Sequence, residues 1–89
     1  MVNIDWELYS WLVRGSQRKA IIEALEKPKI PSQIRNDTKL SIANVSKILK
    51  LFVDNGIAEC LNPNTKMGKL YKLTPKGQAL REELIRKEA

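Results

Sequence analysis

A long amphipathic segment that leads directly into a hairpin constrains this chain more than any other sequence feature. Wound at about 100° per residue, residues 42–55 gather their apolar side chains on an arc of about 140°. Ser41 is a favourable N-cap for this helix, and Gly56 supplies its C-terminal stop. The segments 57–61 and 69–73 have the composition of strands and are joined by a turn-rich stretch. The sequence therefore predicts a long helix followed at once by a two-stranded hairpin.

Capping and breaking residues divide the rest of the chain into further helices. Gly15 ends the first helix, Ser16 is a good N-cap for the second, and Pro28 stops that second helix. Thr74 and Pro75 form an N-cap and first-position pair that opens the last helix. The helices predicted in this way cover residues 3–14, 17–27, 31–38 and 75–88.

The order of these elements predicts the fold class. A short helix, a three-residue turn and a longer helix form a helix-turn-helix unit, and the hairpin that follows is a wing. We expect an α+β, mostly helical fold, a winged helix-turn-helix with a two-stranded β-hairpin wing and extra N- and C-terminal helices. With 89 residues there is room for one domain. That domain, over 1–89, would comprise an N-terminal helix 3–14, a helical core 16–55, a wing 57–73 and a C-terminal helix 75–88.

The residue composition excludes several classes of function. A single cysteine, Cys60, and the absence of histidine remove a disulfide framework, a zinc finger and a histidine-based catalytic site. The sequence contains no glycine-rich phosphate loop, nucleophile elbow or carboxylate dyad, so we expect no enzyme, no cofactor and no metal. No apolar run approaches the ~18 residues of a membrane span and no secretory leader is evident. We expect a cytoplasmic protein without membrane attachment, with Cys60 packed rather than acting as a redox sensor.

Positive charge is concentrated in the middle of the chain. Sixteen Lys and Arg against ten Asp and Glu give a net charge of +6, and the excess lies within residues 35–76. Such an excess favours an anionic partner, nucleic acid first. On the long helix, the inward arc consists of Ile42, Val45, Ile48, Leu49, Phe52 and Val53. The first two turns of the opposite face carry small, polar and basic groups and no acid, as a helix in the major groove requires.

These patterns predict an interface with double-stranded DNA. Base edges would be addressed by Ser41, Ala43, Asn44, Ser46 and Lys47, and phosphates by Lys50, Arg35 and Lys39. Residues on or beside the hairpin would meet the flanking backbone or the minor groove. These wing residues are Asn64, Thr65, Lys66 and Lys69.

The stretch over residues 40–77 also resembles a known family. Its sequence is LSIANVSKILKLFVDNGIAECLNPNTKMGKLYKLTPKG, with the skeleton Leu40-Ser41, Val45-Ser46-Lys47, Leu49, Phe52, Gly56-Ile57, Tyr71, Leu73-Thr74 and Gly77. This skeleton resembles that of small winged helix-turn-helix transcription regulators of archaea, which are related in fold to the MarR and ArsR repressor groups. The resemblance covers roughly residues 16–80 and implies sequence-specific DNA binding. The chain departs from the family at Ile30 (often Thr or Ser), Phe52 (usually Leu) and Lys69 (often Arg).

Two other functions compete with DNA binding. Winged helices also serve as protein-interaction modules in larger assemblies, and Leu51 on the outer face of the long helix favours that alternative. RNA binding is disfavoured because the predicted basic face has no aromatic residue to stack on a base.

The terminal helices predict a homodimer. Ile4, Leu8, Trp11 and Leu12 share one side of the first helix, and Trp6, Tyr9 and Val13 occupy the adjoining side. This is more apolar surface than one core covers, and packing explains the aromatic residues better than a ligand pocket does. On the last helix, Leu80 and Leu84 form a narrow stripe that we expect to belong to the pairing surface. The alternative is that the first and last helices cover each other within one chain, which would leave a monomer. A two-fold dimer also suits DNA, because symmetric subunits read two half-sites.

Overall fold

Helices dominate the fold, and a single hairpin interrupts them. The computed structural model describes residues 4–88. In this range the elements are α1 Trp6–Val13, α2 Ser16–Ala24, α3 Pro31–Thr38, α4 Ile42–Asp54, β1 Ala58–Cys60, β2 Tyr71–Leu73 and α5 Pro75–Glu88. The two strands pair antiparallel, with Glu59 opposite Lys72. This architecture confirms the predicted mostly helical fold class with a two-stranded wing.

The first helix begins at Trp6 because Asp5 caps it. The Asp5 carboxylate accepts a hydrogen bond of 3.1 Å from the backbone N–H of Leu8. The predicted start at residue 3 lies outside the described residues. On its inner side Leu12 is fully buried, and the Trp11 ring packs edge-on against Phe52 with ring centroids 6.2 Å apart. Packing therefore accounts for Trp11, as the sequence predicts.

The second helix differs from its prediction at both ends. Gly15 occupies the N-cap position without a side-chain hydrogen bond, so the assignment of Ser16 as the N-cap is wrong. The helix ends at Ala24 rather than residue 27. The reason lies downstream, where Lys29 and Tyr71 exchange two backbone hydrogen bonds of 2.9 Å and form an isolated bridge beside β2. This pairing needs an extended backbone at Lys29, so the helix has to end before that residue.

The side chain of Lys29 is buried behind this bridge. Its ammonium lies 2.6 Å from an Asp37 carboxylate oxygen and 3.1 Å from one of Glu26. Burial by itself would lower the pKa of Lys29, but the hydrogen bonds to Asp37 and Glu26 outweigh it and raise that pKa above its usual value. The bridge holds the wing against the segment between α2 and α3, and the ion pair with Asp37 holds that segment against α3.

The inward face of α4 is narrower than predicted. Val45, Leu49 and Phe52 are fully buried, whereas Ile42 is 44% and Val53 39% exposed. The two exceptions lie in the first and last turns, where neighbouring elements no longer cover the helix, so their assignment to the core is wrong. The buried apolar residues are Leu12, Ile21, Ile22, Leu25, Ile34, Val45, Ile48, Leu49, Phe52, Ile57, Ala58, Leu73, Leu80 and Leu84.

The last helix closes the core instead of presenting a pairing stripe. Leu80 is 1% and Leu84 2% exposed, so the prediction that they form an intersubunit surface is wrong. The helix packs against α2, and the Arg81 guanidinium donates to the Glu23 backbone carbonyl at 3.1 Å. Its start is fixed by Thr74, whose hydroxyl accepts from the Gly77 N–H at 3.1 Å and donates to the Gly56 carbonyl.

Candidate nucleic-acid interface

The N-terminal turns of α4 present the predicted recognition surface. The Ser41 hydroxyl accepts from the Asn44 N–H at 3.2 Å and caps the helix, as the sequence predicts. Ser41, Ala43, Ser46 and Lys47 are exposed, and Asn44 is half-buried. The outer face of these turns therefore combines small, hydroxyl, amide and ammonium groups, and no described acidic residue lies between Ser41 and Lys50. This set offers hydrogen-bond donors, acceptors and positive charge to a partner.

The turn between α3 and α4 sets the angle of the recognition surface. Lys39 adopts the left-handed conformation with φ of 64°, and its N–H donates to the Arg35 carbonyl at 2.8 Å. The Thr38 hydroxyl donates to the Ile34 carbonyl and accepts from the Leu40 N–H, which holds the chain in the turn. Arg35 and Lys39 are both exposed at this end of α3. Without a glycine there, the left-handed residue has no strong sequence signal.

The wing loop is folded around Asn62. The side-chain amide of Asn62 donates to the Gly68 carbonyl at 3.2 Å, and its oxygen accepts from the Leu70 N–H at 2.6 Å. Gly68 has a φ of 69°, which returns the chain toward β2. Asn64, Thr65 and Lys66 are exposed at the tip, and Lys69 is half-buried. Sequence reasoning missed Asn62, although an asparagine that begins a turn-rich loop is a recognisable signal.

One groove lies between the wing loop and the N-terminal turn of the recognition helix α4. It has a volume of about 560 Å³ and separates the first turns of α3 and α4 from the wing loop. Ser46, Lys66 and Lys69, all predicted from the sequence, meet along it. The remaining lining residues are Ile30, Pro31, Ser32, Ile42, Met67, Gly68 and Tyr71. The fold thus brings wing cations and helix hydroxyls, more than 15 residues apart in sequence, to one surface.

A second groove runs along the other side of α4. It has a volume of about 410 Å³ and places Asn44 and Lys47 opposite the turn between α1 and α2. Arg14 and Gln17 are exposed long polar residues of that turn, and sequence reasoning missed both. Arg18 also lines the groove, but its guanidinium stacks 4.4 Å from the Trp11 ring centroid and donates to the Trp11 carbonyl. Only the tertiary fold reveals that this turn faces the recognition helix.

Several predicted residues lie outside both grooves. The predicted residues that line neither groove are Arg35, Lys39, Ser41, Ala43, Lys50, Asn64 and Thr65. Lys50 is exposed and lies 3.5 Å from Asp54 on the next turn of α4. An exposed pair at this spacing contributes only about 0.3–0.5 kcal/mol, so a phosphate can replace the carboxylate at little cost.

The cations that flank the outer face of α4 have no carboxylate partner. Among residues 4–88, the ion pairs involve neither Lys47, Lys66 nor Lys69. Elsewhere lysines are neutralised: Lys29 by Glu26 and Asp37, and Lys72 by Glu59 at 3.7 Å. The interface thus has positive charge on both sides of the helix, which is the arrangement that attracts a polyanion.

Other candidate sites are weaker. Cys60 is half-buried in β1, and its thiol lies 3.6 Å from the Asn62 side-chain oxygen, in line with a packed thiol. Within the part of the chain that the structure describes, no three His, Cys, Asp or Glu residues cluster in a way that could hold a metal ion. None of the helices found between residues 4 and 88 has the length and apolar character needed to cross a membrane.

The sequence has little detectable similarity to characterised proteins, but its fold is well represented. No protein-family model matches the chain, and no curated protein matches it. Among solved structures, the reduced form of MarR from E. coli is 26% identical, with a TM-score of 0.72. The match covers 86% of this chain and 59% of MarR, so the chain spans about three fifths of that protein.

Two further solved structures extend the comparison. BpsR of Bordetella bronchiseptica, described with regulation of its DNA binding by 6-hydroxynicotinic acid, has a TM-score of 0.75 and 16% identity, covering 91% of this chain and 70% of BpsR. TubR bound to 24 bp of tubC, from the Bacillus thuringiensis serovar israelensis plasmid pBtoxis, has a TM-score of 0.76 and 15% identity. That match covers 100% of this chain and 98% of TubR. The chain therefore has a winged helix-turn-helix fold, similar to that of MarR-type regulators and of TubR.

Proposed function

We propose that this chain is a sequence-specific double-stranded DNA-binding transcription regulator. The observation that carries the proposal is that the acid-free N-terminal turns of α4 lie between two grooves lined by lysines that form no ion pair among residues 4–88. Lys47 lies on one side, and Lys66 and Lys69 lie on the other. The similarity to MarR and BpsR, and to a TubR structure that contains DNA, supports the same function.

In this proposal α4 enters the major groove with its N-terminal turns. The small side chain of Ala43 allows close approach, while Asn44 and Lys47 reach base edges, with Ser41 and Ser46 as shorter hydrogen-bonding groups. Phosphates are neutralised by Arg35, Lys39 and Lys50, whose exposure on the rim leaves them free to follow the backbone. The wing residues Asn64, Thr65, Lys66 and Lys69 meet the flanking backbone or minor groove.

The active unit in this proposal is a cytoplasmic homodimer formed by the terminal helices. Trp6 of α1 remains 55% exposed, although it contacts Tyr9 edge-on and Lys87 lies 5.1 Å above its ring. Ile85 of α5 is also exposed, unlike its neighbour Leu84. Burial of such residues in a two-fold interface would place two recognition helices on one DNA site.

A DNA-binding role in plasmid segregation is the second candidate. Its support is the length of the match, because the chain covers 98% of DNA-bound TubR and 95% of a second TubR structure, described as a type III plasmid segregation protein. The two functions share the DNA interface and differ in the consequence of losing it. Deletion would change transcription near the bound site in the first case and plasmid retention in the second.

Selection of binding sites from random duplex DNA tests the proposal directly. We expect enrichment of one preferred sequence, since base-edge contacts add to the phosphate contacts that all duplexes offer. Enrichment without sequence preference would remove the claim of specificity. No retention of any duplex would contradict DNA binding and favour the protein-interaction module.

The Asn44→Ala variant tests base readout by α4. If the Asn44 amide contacts a base, its loss should weaken binding to the preferred site by about 1–3 kcal/mol and leave binding to unrelated DNA almost unchanged. Titration of both duplexes at one salt concentration measures the difference. Equal losses on the two duplexes would reassign Asn44 to positioning on the backbone, and Asn55→Ala, at the far end of α4, is the control.

The Lys66→Ala and Lys69→Ala variants test the charge contribution of the wing. Each should weaken binding to all duplexes alike and lower the slope of log affinity against log salt by about one, because one fewer counterion is released. Lys19→Ala is the matched control, because Lys19 lines neither groove. Its ammonium lies 3.9 Å from a carboxylate oxygen of Glu88. Unchanged slopes in both wing variants would show that the wing does not touch DNA.

A further inference from the structure

Met67 at the wing tip is an apolar side chain with almost no contact to its own chain. It is 85% exposed, against 55% for Trp6, the next most exposed large hydrophobic residue among those described. A methionine side chain this exposed buries little apolar area and so contributes little to the stability of the monomer. Its position on the proposed DNA interface therefore favours a role in binding, and that role rests on the proposed function.

The loop that carries Met67 is fixed by hydrogen bonds around Asn62. Asn62 fixes both ends of the loop through the Gly68 carbonyl and the Leu70 N–H, and the Thr65 N–H donates to the Asn62 carbonyl at 3.1 Å. Met67 lies at the rim of the groove between the wing and α4 rather than across its floor, as its exposure shows. The side chain is thus presented to a partner by an ordered loop.

The surroundings of Met67 favour DNA over an apolar partner. Lys66 precedes it and Lys69 follows two residues later, and neither forms an ion pair within the described range. The other tip residues, Asn64 and Thr65, are polar and exposed. One methionine among polar and cationic groups makes too small an apolar patch for a stable protein interface. In DNA, by contrast, an apolar base stack lies between phosphates, so the methionine suits the bases and the flanking lysines suit the phosphates.

We propose that Met67 is an apolar wedge that enters the minor groove and inserts between two base pairs where the wing meets DNA. Lys66 and Lys69 would neutralise the adjacent phosphates, and the insertion would bend the duplex toward the major groove by about 20–90°. Because pyrimidine–purine steps unstack most easily, the wing would prefer such a step at a position that forms no base-edge hydrogen bond.

Local unstacking can be measured on the duplex recovered by selection. 2-Aminopurine, whose fluorescence rises when it leaves the base stack, replaces adenine at successive positions beside the α4 site. The native chain should raise the fluorescence at one step and bend the duplex, as measured by the distance between dyes at its ends. Met67→Leu should keep both signals, whereas Met67→Gln, of similar length but polar, should lose both. Its affinity should change by less than about tenfold, since the lost contacts are offset by the stacking that is regained.

The outcomes separate the wedge from DNA binding itself. The wedge would be overturned if the Met67→Gln variant gave the same fluorescence and bend as the native chain. It would also be overturned if the native complex showed neither signal. Both results would leave the proposed function standing. Absence of any DNA binding by the native chain would instead defeat the proposed function and the wedge with it. Asn44→Ala, which weakens base readout but leaves the wing intact, should still unstack the step once bound.

Discussion

Replacing Gly77 by alanine is expected to destabilise the fold by about 3 kcal/mol, or to prevent folding altogether. Gly77 lies in the first turn of α5, where the helix approaches Ile57 between α4 and β1. An added Cβ would overlap the carbonyl oxygen of Ile57 and lie 3.0 Å from its carbonyl carbon and 3.2 Å from the Leu73 Cβ. The carbonyl cannot move away easily, because it accepts a hydrogen bond of 2.9 Å from the backbone N–H of Thr74.

Urea denaturation of the glycine variants measures this effect. Gly68→Ala is the control, because an alanine Cβ there meets nothing within 4 Å and only the positive φ of 69° opposes it. We expect that variant to lose about 1–2 kcal/mol of unfolding free energy. The slope of its unfolding free energy against urea concentration should equal that of the native chain. A Gly77→Ala variant as stable as the native chain would show that α5 can shift away from Ile57.

Making the exposed residues of the terminal helices polar is expected to convert the proposed dimer into a monomer. Sedimentation equilibrium at micromolar concentration should give the native chain twice its 10.2 kDa mass, and a Trp6→Glu, Ile85→Glu variant a single chain mass. Loss of the second half-site should lower affinity for a two-fold symmetric DNA site by about 100-fold or more, because the linked contacts act together.

Met67→Gln is the matched control for the dimer, since it also removes an exposed apolar side chain but on the wing. It should keep the dimer mass. A native chain of 10.2 kDa, or a double variant that still dimerises, would contradict the proposed interface. Leu84 is unsuitable for this test because it is 2% exposed within its own core, and a polar residue there would unfold the chain.

Local signals predicted most of the elements that form the candidate interface. The boundaries of α4 follow from a side-chain cap at one end and a glycine at the other, and Ser41 does accept from the Asn44 N–H. Thr74 and Pro75 likewise open α5 where the sequence predicts. The outer face of α4 follows from helical periodicity alone. Such features depend on residues within one or two turns, so no tertiary contact can alter them easily.

The positions of Arg14, Gln17 and Asn62 in the site could not be read from local patterns. Arg14 and Gln17 join the interface only because the turn between α1 and α2 docks opposite Asn44 and Lys47. The Asn62 side chain holds the two ends of the wing loop together only when the loop folds back on it. These contacts depend on packing between segments far apart in sequence, which periodicity and capping do not encode.

By itself the sequence determined the order of helices and strands, the winged helix-turn-helix fold and the basic outer face of α4, whose first turns carry no acid. Only the tertiary structure decided which apolar faces are covered. The Leu80 and Leu84 stripe is buried in the core of its own chain rather than left for a partner, whereas Trp6 and Met67 stay exposed. It also decided that α2 stops at Ala24, because Lys29 has to pair with Tyr71 beside the wing. An amphipathic pattern shows that a face must be buried, but the element that buries it is selected by the packing of the whole chain.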